Sequence, residues 1–314
     1  MTRTSSPLWV DTPVWQSGPL STASGKTTFL KMEAFQPTGS FKARGMGAAC
    51  VAARDAGATR VVCSSGGNAG YSVAYAARQL GLPATIVVPR STTARARTLI
   101  AQQAAEVIVH GEVWDEAHAY ATELAARTHA AYVHPFDDPI VWAGHAEMIR
   151  ELVRQVPKPG AVVASVGGGG LLVGVVQGLR DVGWTDVPVL AVETEGAASF
   201  ASSFRAGELV TLERIDTVAV TLGARRVALR SLELARIHPM QPWLVSDRAA
   251  VDACLRFADD HRVLVEPACG AALAAVYDIA EPLAGCDSIV VVVCGGVAVT
   301  LAMLDEWNRS VVSR

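Results

Sequence analysis

The sequence predicts an α/β protein built as two doubly wound domains. Two observations carry that prediction. Short β-branched runs alternate with alanine-rich segments of helical period, and the runs are apolar throughout instead of alternating with polar residues. Such strands belong to parallel sheets covered on both faces. There are also more of these runs than one sheet of ordinary size needs.

Taken in order, the pattern predicts a strand over 60–63 and a helix over 69–80, then a strand over 84–88 and a helix over 92–103. A strand over 106–109, a helix over 113–128 and a strand over 131–133 follow. Beyond the loop HPFDDP a longer helix runs to about 155. The series continues with a strand over 161–166, a helix over 171–179, a strand over 189–193 and a late strand over 288–293. The unit 46–140 reads as self-contained, so residues 1–45 and 141–314 are expected to combine into the second, larger domain. Ligands of such folds lie at the carboxyl ends of strands, which directs attention to the strand-end loops.

Composition narrows the function. The chain has 314 residues, 51% of them hydrophobic and 18% charged, enough to bury a large core. A net charge of −3 gives no basic footprint for nucleic acid or membrane lipid. The longest apolar runs, such as that at 289–293, are far too short to cross a bilayer, and the opening MTRTSSPLWV lacks the pattern of a signal peptide. Cysteines at 50, 63, 254, 269, 286 and 294 form no C-x-x-C pair. They read as reduced thiols of a cytoplasmic protein.

Four loops carry chemistry. In SVGGGGLL, Gly167, Gly168, Gly169 and Gly170 close an apolar strand and open a helix. Backbone amides without Cβ atoms can converge there on an anion, helped by the helix N-terminus. No G-x-G-x-x-G or G-K-[ST] fits, which disfavours a dinucleotide and excludes a P-loop nucleotide and leaves a phosphate monoester. The alternative is a tight strand–helix turn. The loop CSSGGNAG offers hydroxyls, the Asn68 amide and exposed N–H groups, suited to a carboxylate; alternatively it is only a helix cap. Cys294 ends the last strong strand, where a thiol can hydrogen-bond a ring nitrogen or simply fill space. In QPTGSFKARG, Ser40 is the expected N-cap and Lys42 is a candidate Schiff-base amine, if partly desolvated. Phosphate, ring nitrogen, carbonyl carbon and carboxylate together describe pyridoxal 5′-phosphate carrying an amino acid.

QPTGSFKARG, SSGGNAG, SVGGGGLLVGVVQGL, VEPACGAALAAVY and VVVCGG, in this order, resemble the fold-type II pyridoxal-phosphate enzymes, above all the L-serine/L-threonine dehydratases. The likeness runs from about residue 12 to 304. It implies a cofactor in the cleft between a large cofactor-binding domain and a small substrate-loop domain. It implies that Lys42 holds the cofactor and that Phe41 packs by its ring. It also implies that Gly167, Gly168, Gly169, Gly170 and Leu171 take the phosphate, and that Cys294 faces the pyridine nitrogen. Ser64, Ser65, Gly67, Asn68 and Ala69 would grip the substrate carboxylate, with Asn68 also touching the ring hydroxyl. Some members bind a potassium-like cation, which by matching falls to Glu193, Ala197, Leu222 and Ala224. The implied reaction is α,β-elimination of L-serine, or of L-threonine, by a homodimer, with Lys42 as general base. β-Replacement of the cysteine synthase kind, serine racemisation and non-catalytic cofactor binding are the alternatives. Two departures stand out: Val297-Ala298 replace a polar pair, and Gly66 stands where close relatives have alanine.

Overall fold

A computed structural model describes residues 7–312. Residues 1–6, on which part of the signal-peptide expectation rests, and the outermost ends of the large domain's two expected segments lie outside the described residues. The chain enters through β1 (Val14–Gln16), α1 (Gly18–Ser24) and β2 (Thr27–Lys31), and then forms α2 (Lys42–Asp55). Next come β3 (Val61–Cys63), α3 (Asn68–Leu80), β4 (Ala84–Val88), α4 (Ala94–Ala101), β5 (Glu106–Val109), α5 (Trp114–Thr128) and β6 (Ala131–Tyr132). After α6 (Pro139–Leu152) follow β7 (Ala161–Ser165), α7 (Gly170–Asp181), β8 (Val189–Thr194), α8 (Ser199–Ala206), α9 (Leu229–Ala235) and β9 (Met240–Val245). The chain closes with α10 (Asp247–His261), α11 (Pro267–Tyr277), β10 (Ser288–Val292) and α12 (Leu301–Val312).

These strands make two sheets. One has six strands in the order β1-β2-β10-β7-β8-β9, and the other has four in the order β5-β4-β3-β6. Every pairing is parallel except that of β1 with β2. Of the predicted apolar strands, β4, β7 and β8 are buried at every position, as expected of a sheet covered on both faces, whereas β5 and β6 at the edges of the small sheet are only partly covered. Helix α11, apolar all round, is buried along its whole length and packs among β7, β8, β9 and β10. Helix starts are written locally. Asp138 accepts from the N–H groups of Ile140 and Val141 ahead of Pro139, and Ser246 accepts from Ala249.

The sequence reading passed over β1, β2 and β9. Strand β2 is central, between β1 and β10, yet it reads TTFLK and ends in a lysine. That lysine is wholly buried because its Nζ donates to Glu151, Gln155 and the Thr12 carbonyl. Burial of a charge is tolerable only with such partners.

The fold brings three strand ends to one place. The loops after β3, β7 and β10 line a cavity of ≈ 420 Å³, together with the start of α2 and the segment 218–224. The volume is of the size that holds a cofactor-sized ligand.

Candidate active site

Lys42 is the first residue of α2, but Ser40 does not cap that helix. The Ser40 hydroxyl is buried without a partner, and Phe41 holds the cap position with helical angles, so the expected Ser40 cap is corrected. Main-chain contacts to the cysteine loop fix the turn instead. Phe41 N–H donates to the Cys294 carbonyl at 3.1 Å, and Gly296 N–H donates to the Gly39 carbonyl at 2.9 Å. A Cβ at Gly295, where φ is +98°, would lie 2.2 Å from the Gly39 oxygen. One turn into α2, the buried Arg44 guanidinium grips Glu33 and Glu151, each with two hydrogen bonds of 2.6–2.8 Å. Helix α2 is thereby clamped to the turn after β2 and to α6 within two residues of Lys42.

The chain has four lysines, and of these only Lys42 lines the cavity. Lys31 is committed to Glu151, Lys158 to Asp186, and Lys26 to the Ala284 carbonyl. Lys42 Nζ lies 2.5 Å from the Pro135 carbonyl and 5.1 Å from the Phe41 ring centroid. Burial lowers its pKa to about 8, because a charged ammonium loses its hydration there. The neutral amine, which nucleophilic and base chemistry both require, is thereby easier to reach than for a lysine in water.

The glycine loop runs from β7 into α7. Among the described residues, no protein acceptor takes the N–H groups of Gly167, Gly168, Gly169, Gly170 or Leu171. These donors, with the N-terminus of the twelve-residue α7, form an anion cradle. The glycines themselves have a second cause. A Cβ at Gly168 would stand 2.4 Å from the Phe136 ring, at Gly170 2.7 Å from the Phe136 carbonyl, and at Gly169 2.2 Å from Ser231 Oγ. The surrounding protein thus demands glycine at these positions, and the unclaimed amides carry the case for a phosphate.

The substrate loop shows the same economy with a different support. Ser65, Gly67, Asn68 and Ala69 line the cavity, and no protein acceptor takes the N–H groups of Ser65, Gly66 or Asn68 among the described residues. Ser64 does not line the cavity. It is wholly buried, with its hydroxyl 2.6 Å from Tyr132 OH, so within the expected carboxylate loop its side chain faces the small sheet. Asn68 Oδ1 accepts from Val297 N–H, and Nδ2 donates to Glu266 at 2.7 Å, which leaves one Nδ2 hydrogen for the cavity. The backbone of Val297-Ala298 supplies contacts that its side chains lack, since the Ala298 carbonyl also accepts from Arg95.

Cys294 lines the cavity at 5% exposure. A hydrogen bond with Cys269, and then burial, hold its pKa well above the usual thiol range, so it is a neutral donor or acceptor. Sequence reasoning missed Glu266, a buried acid on the cavity wall that accepts from Asn68 and from Thr221 at 2.7 Å. Burial pushes its pKa up to about 7. Its motif, VEPACG, was visible, but only the fold shows that it meets Asn68, 198 residues away. Phe136 and Trp114 were missed for the same reason.

The four residues matched to a cation divide. Leu222 and Ala224 line the cavity, whereas Glu193 and Ala197 do not. Glu193 is buried and caps α8 by accepting from Phe200 and Ala201 N–H at 2.8 Å; burial raises its pKa to about 7. Among the described residues no cluster of three or more His, Cys, Asp or Glu is placed to hold a metal ion.

An amine with no carboxylate partner among the described residues, an unclaimed set of phosphate-type donors, a second set suited to a carboxylate and a neutral thiol therefore share one cavity, and they fit pyridoxal phosphate. A family model described as pyridoxal-phosphate dependent enzyme matches residues 6–295, and the chain belongs to that family. Within it, the chain is 49% identical over 311 residues to a human protein named L-serine dehydratase/L-threonine deaminase, across 95% of this chain and 94% of that one. The crystal structure of an L-serine ammonia-lyase from Rhizomucor miehei is similar at a TM-score of 0.91 and 41% identity, covering 96% and 98% of the two chains. The structure of maize serine racemase is similar at 0.89 and 28%, covering 98% and 94%.

Proposed function

We propose that this protein converts L-serine to pyruvate and ammonia, and L-threonine to 2-oxobutanoate and ammonia, by α,β-elimination. The observation that carries the reading is the likeness, over nearly the whole of both chains, to proteins named for that reaction, joined to a cavity whose single lysine is Lys42.

When bound, the cofactor supplies an aldehyde carbon for the amine and an electron-accepting ring that acidifies the substrate's α-hydrogen. The chain supplies the rest. The amides of Gly167 to Leu171 hold the phosphate, and the Phe41 side chain, at the cavity wall, packs beside the ring. The amides around Ser65 to Asn68 take the carboxylate. Lys42, oriented by the Pro135 carbonyl and lowered in pKa, accepts the α-proton at Nζ and holds it within the buried site. The remaining Asn68 hydrogen is free for an oxygen of the ligand. Cys294 presents a neutral thiol where a carboxylate would favour a protonated ring nitrogen. A ring left unprotonated there would be a weaker electron sink, which would favour loss of the β-hydroxyl over racemisation.

The reading includes a potassium-like cation held by Glu193 and by main-chain oxygens of Ala197, Leu222 and Ala224, and a cytoplasmic homodimer. A buried Glu193 with no ion-pair partner among the described residues supports the cation, because a positive ion would offset the burial of that charge.

The test is an assay of L-serine with cofactor-loaded protein, scored for keto acid, ammonia and D-serine together. Keto acid and ammonia in equal amounts support elimination. D-Serine as main product would favour racemisation, the reading that the maize structure suggests.

A further inference from the structure

We infer that Trp114 is a positioning residue for the substrate loop, acting through the main-chain carbonyl of Ser64. The inference rests on the reading of 65–69 as the carboxylate grip. That loop has little internal support: Gly67 N–H reaches Ser65 Oγ at 3.4 Å, and the Gly67 carbonyl accepts from Tyr71 N–H at 3.1 Å as α3 begins. Its amides face the cavity unclaimed. Something outside the loop must hold them in a fixed direction, since a donor set that wanders binds an anion weakly.

The anchor is Ser64, the residue between β3 and the exposed amides. Both of its outward polar groups are held from the small-sheet side. The Trp114 indole N–H donates to the Ser64 carbonyl at 2.5 Å. The Ser64 hydroxyl lies 2.6 Å from Tyr132 OH, which lies 2.7 Å from His118 Nδ1. Ser64 donating to Tyr132, and Tyr132 donating to a neutral His118, satisfies every group in that chain. The His118 ring then stacks flat on Trp114, at 4.8 Å and 14°, which closes a circuit back to the carbonyl. Trp114 also lines the cavity and packs on Phe136 at 5.7 Å, whose backbone and ring shape the glycine loop. One indole therefore touches the support of both anion cradles, but its N–H donates to the residue that anchors the substrate loop.

The test compares the native chain with Trp114→Phe, which keeps an aromatic ring on His118 and removes the N–H. The first readout is amide hydrogen exchange of the peptide spanning 63–70, measured in cofactor-loaded protein without substrate. It should speed up about three- to tenfold, as loss of one hydrogen bond allows, while the peptide over 165–172 is unchanged. The second is a split in the kinetics: KM for L-serine rises about three- to tenfold, with kcat and cofactor affinity within about twofold of native. Should the variant fold poorly, Tyr132→Phe tests the same anchor from the hydroxyl side and should raise exchange of the same peptide. Unchanged exchange over 63–70 in the folded variant overturns the inference. So does a rise in KM matched by equal losses of cofactor affinity and melting temperature, which marks a merely structural ring. If native protein makes no keto acid from serine, the proposed function fails, and the exchange readout still decides the role of Trp114.

Discussion

The glycine loop and the substrate loop are both strand-to-helix turns with unclaimed amides, yet they are built differently. Around the glycine loop the obstacles to a side chain include backbone and a packed ring: Leu222 Cα and the Thr221 carbonyl at Gly167, Phe136 at Gly168 and Gly170. At Gly66 and Gly67 of the substrate loop they are side chains that can turn away, and backbone blocks a side chain only at Gly70, already inside α3, where a Cβ would lie 1.8 Å from the Ser65 carbonyl. A Cβ at Gly66 would meet Thr92 Oγ1 at 2.3 Å, and one at Gly67 would meet only Thr221 Cγ2 at 3.5 Å. The first loop is tightly packed, as suits a ligand that stays. The second is tethered from outside at Ser64 and Asn68, as suits a ligand that comes and goes. Between them sits Lys42, on a helix clamped by Arg44.

The comparison breaks at its centre if Lys42→Ala retains activity. Keto acid formation should fall by about a thousandfold or more, the combined loss of attachment and general base, measured by coupled reduction of pyruvate. Next in size is Gly168→Val. Overpacking against the Phe136 ring should weaken cofactor retention about ten- to a hundredfold, measured by dialysis and absorbance. Retention equal to native would show that the cradle is not tightly packed.

Glu266 joins the two regions, since it holds Asn68 of one loop and Thr221 beside the other. Its folded pKa, about 7, lies above the ordinary carboxylate value of 4.5. A raised acid gives stability that is present below pH 4.5 and lost as pH rises through 7. Over that window the cofactor-free protein should lose about 3 kcal/mol that Glu266→Gln does not lose, seen as the difference between their denaturation curves. Parallel curves would mean that Glu266 is solvated. The smallest effect is expected of Gly66→Ala: Thr92 rotates, cofactor affinity holds, and KM for L-serine changes by about two- to fivefold. A change in cofactor affinity as large as that of Gly168→Val would erase the contrast between the loops.

The sequence displays the apolar parallel strands because burial on both faces leaves a local mark, a continuous β-branched run. It conceals β2, where Lys31 is buried by virtue of partners up to 124 residues distant. Ser40 looks like a cap because its residue type favours caps, but the cysteine loop supplies the restraint instead. Lys42, the glycine loop and Asn68 were legible, as each sits in a turn whose residue types are unusual. Glu266 and Trp114 look ordinary in their own segments. Their importance lies in what the fold sets against them. The four glycines point to an anion cradle, but that is an incomplete reason for them, since Phe136 and Ser231 also forbid side chains there.

The central claim is that one amine among four lysines holds the cofactor. Reduce the cofactor-loaded protein with borohydride, digest it, and weigh the peptides. The account predicts a stable pyridoxyl adduct on Lys42 alone, lost when L-serine is added before reduction. An adduct on Lys26, Lys31 or Lys158, or none on Lys42, would contradict it.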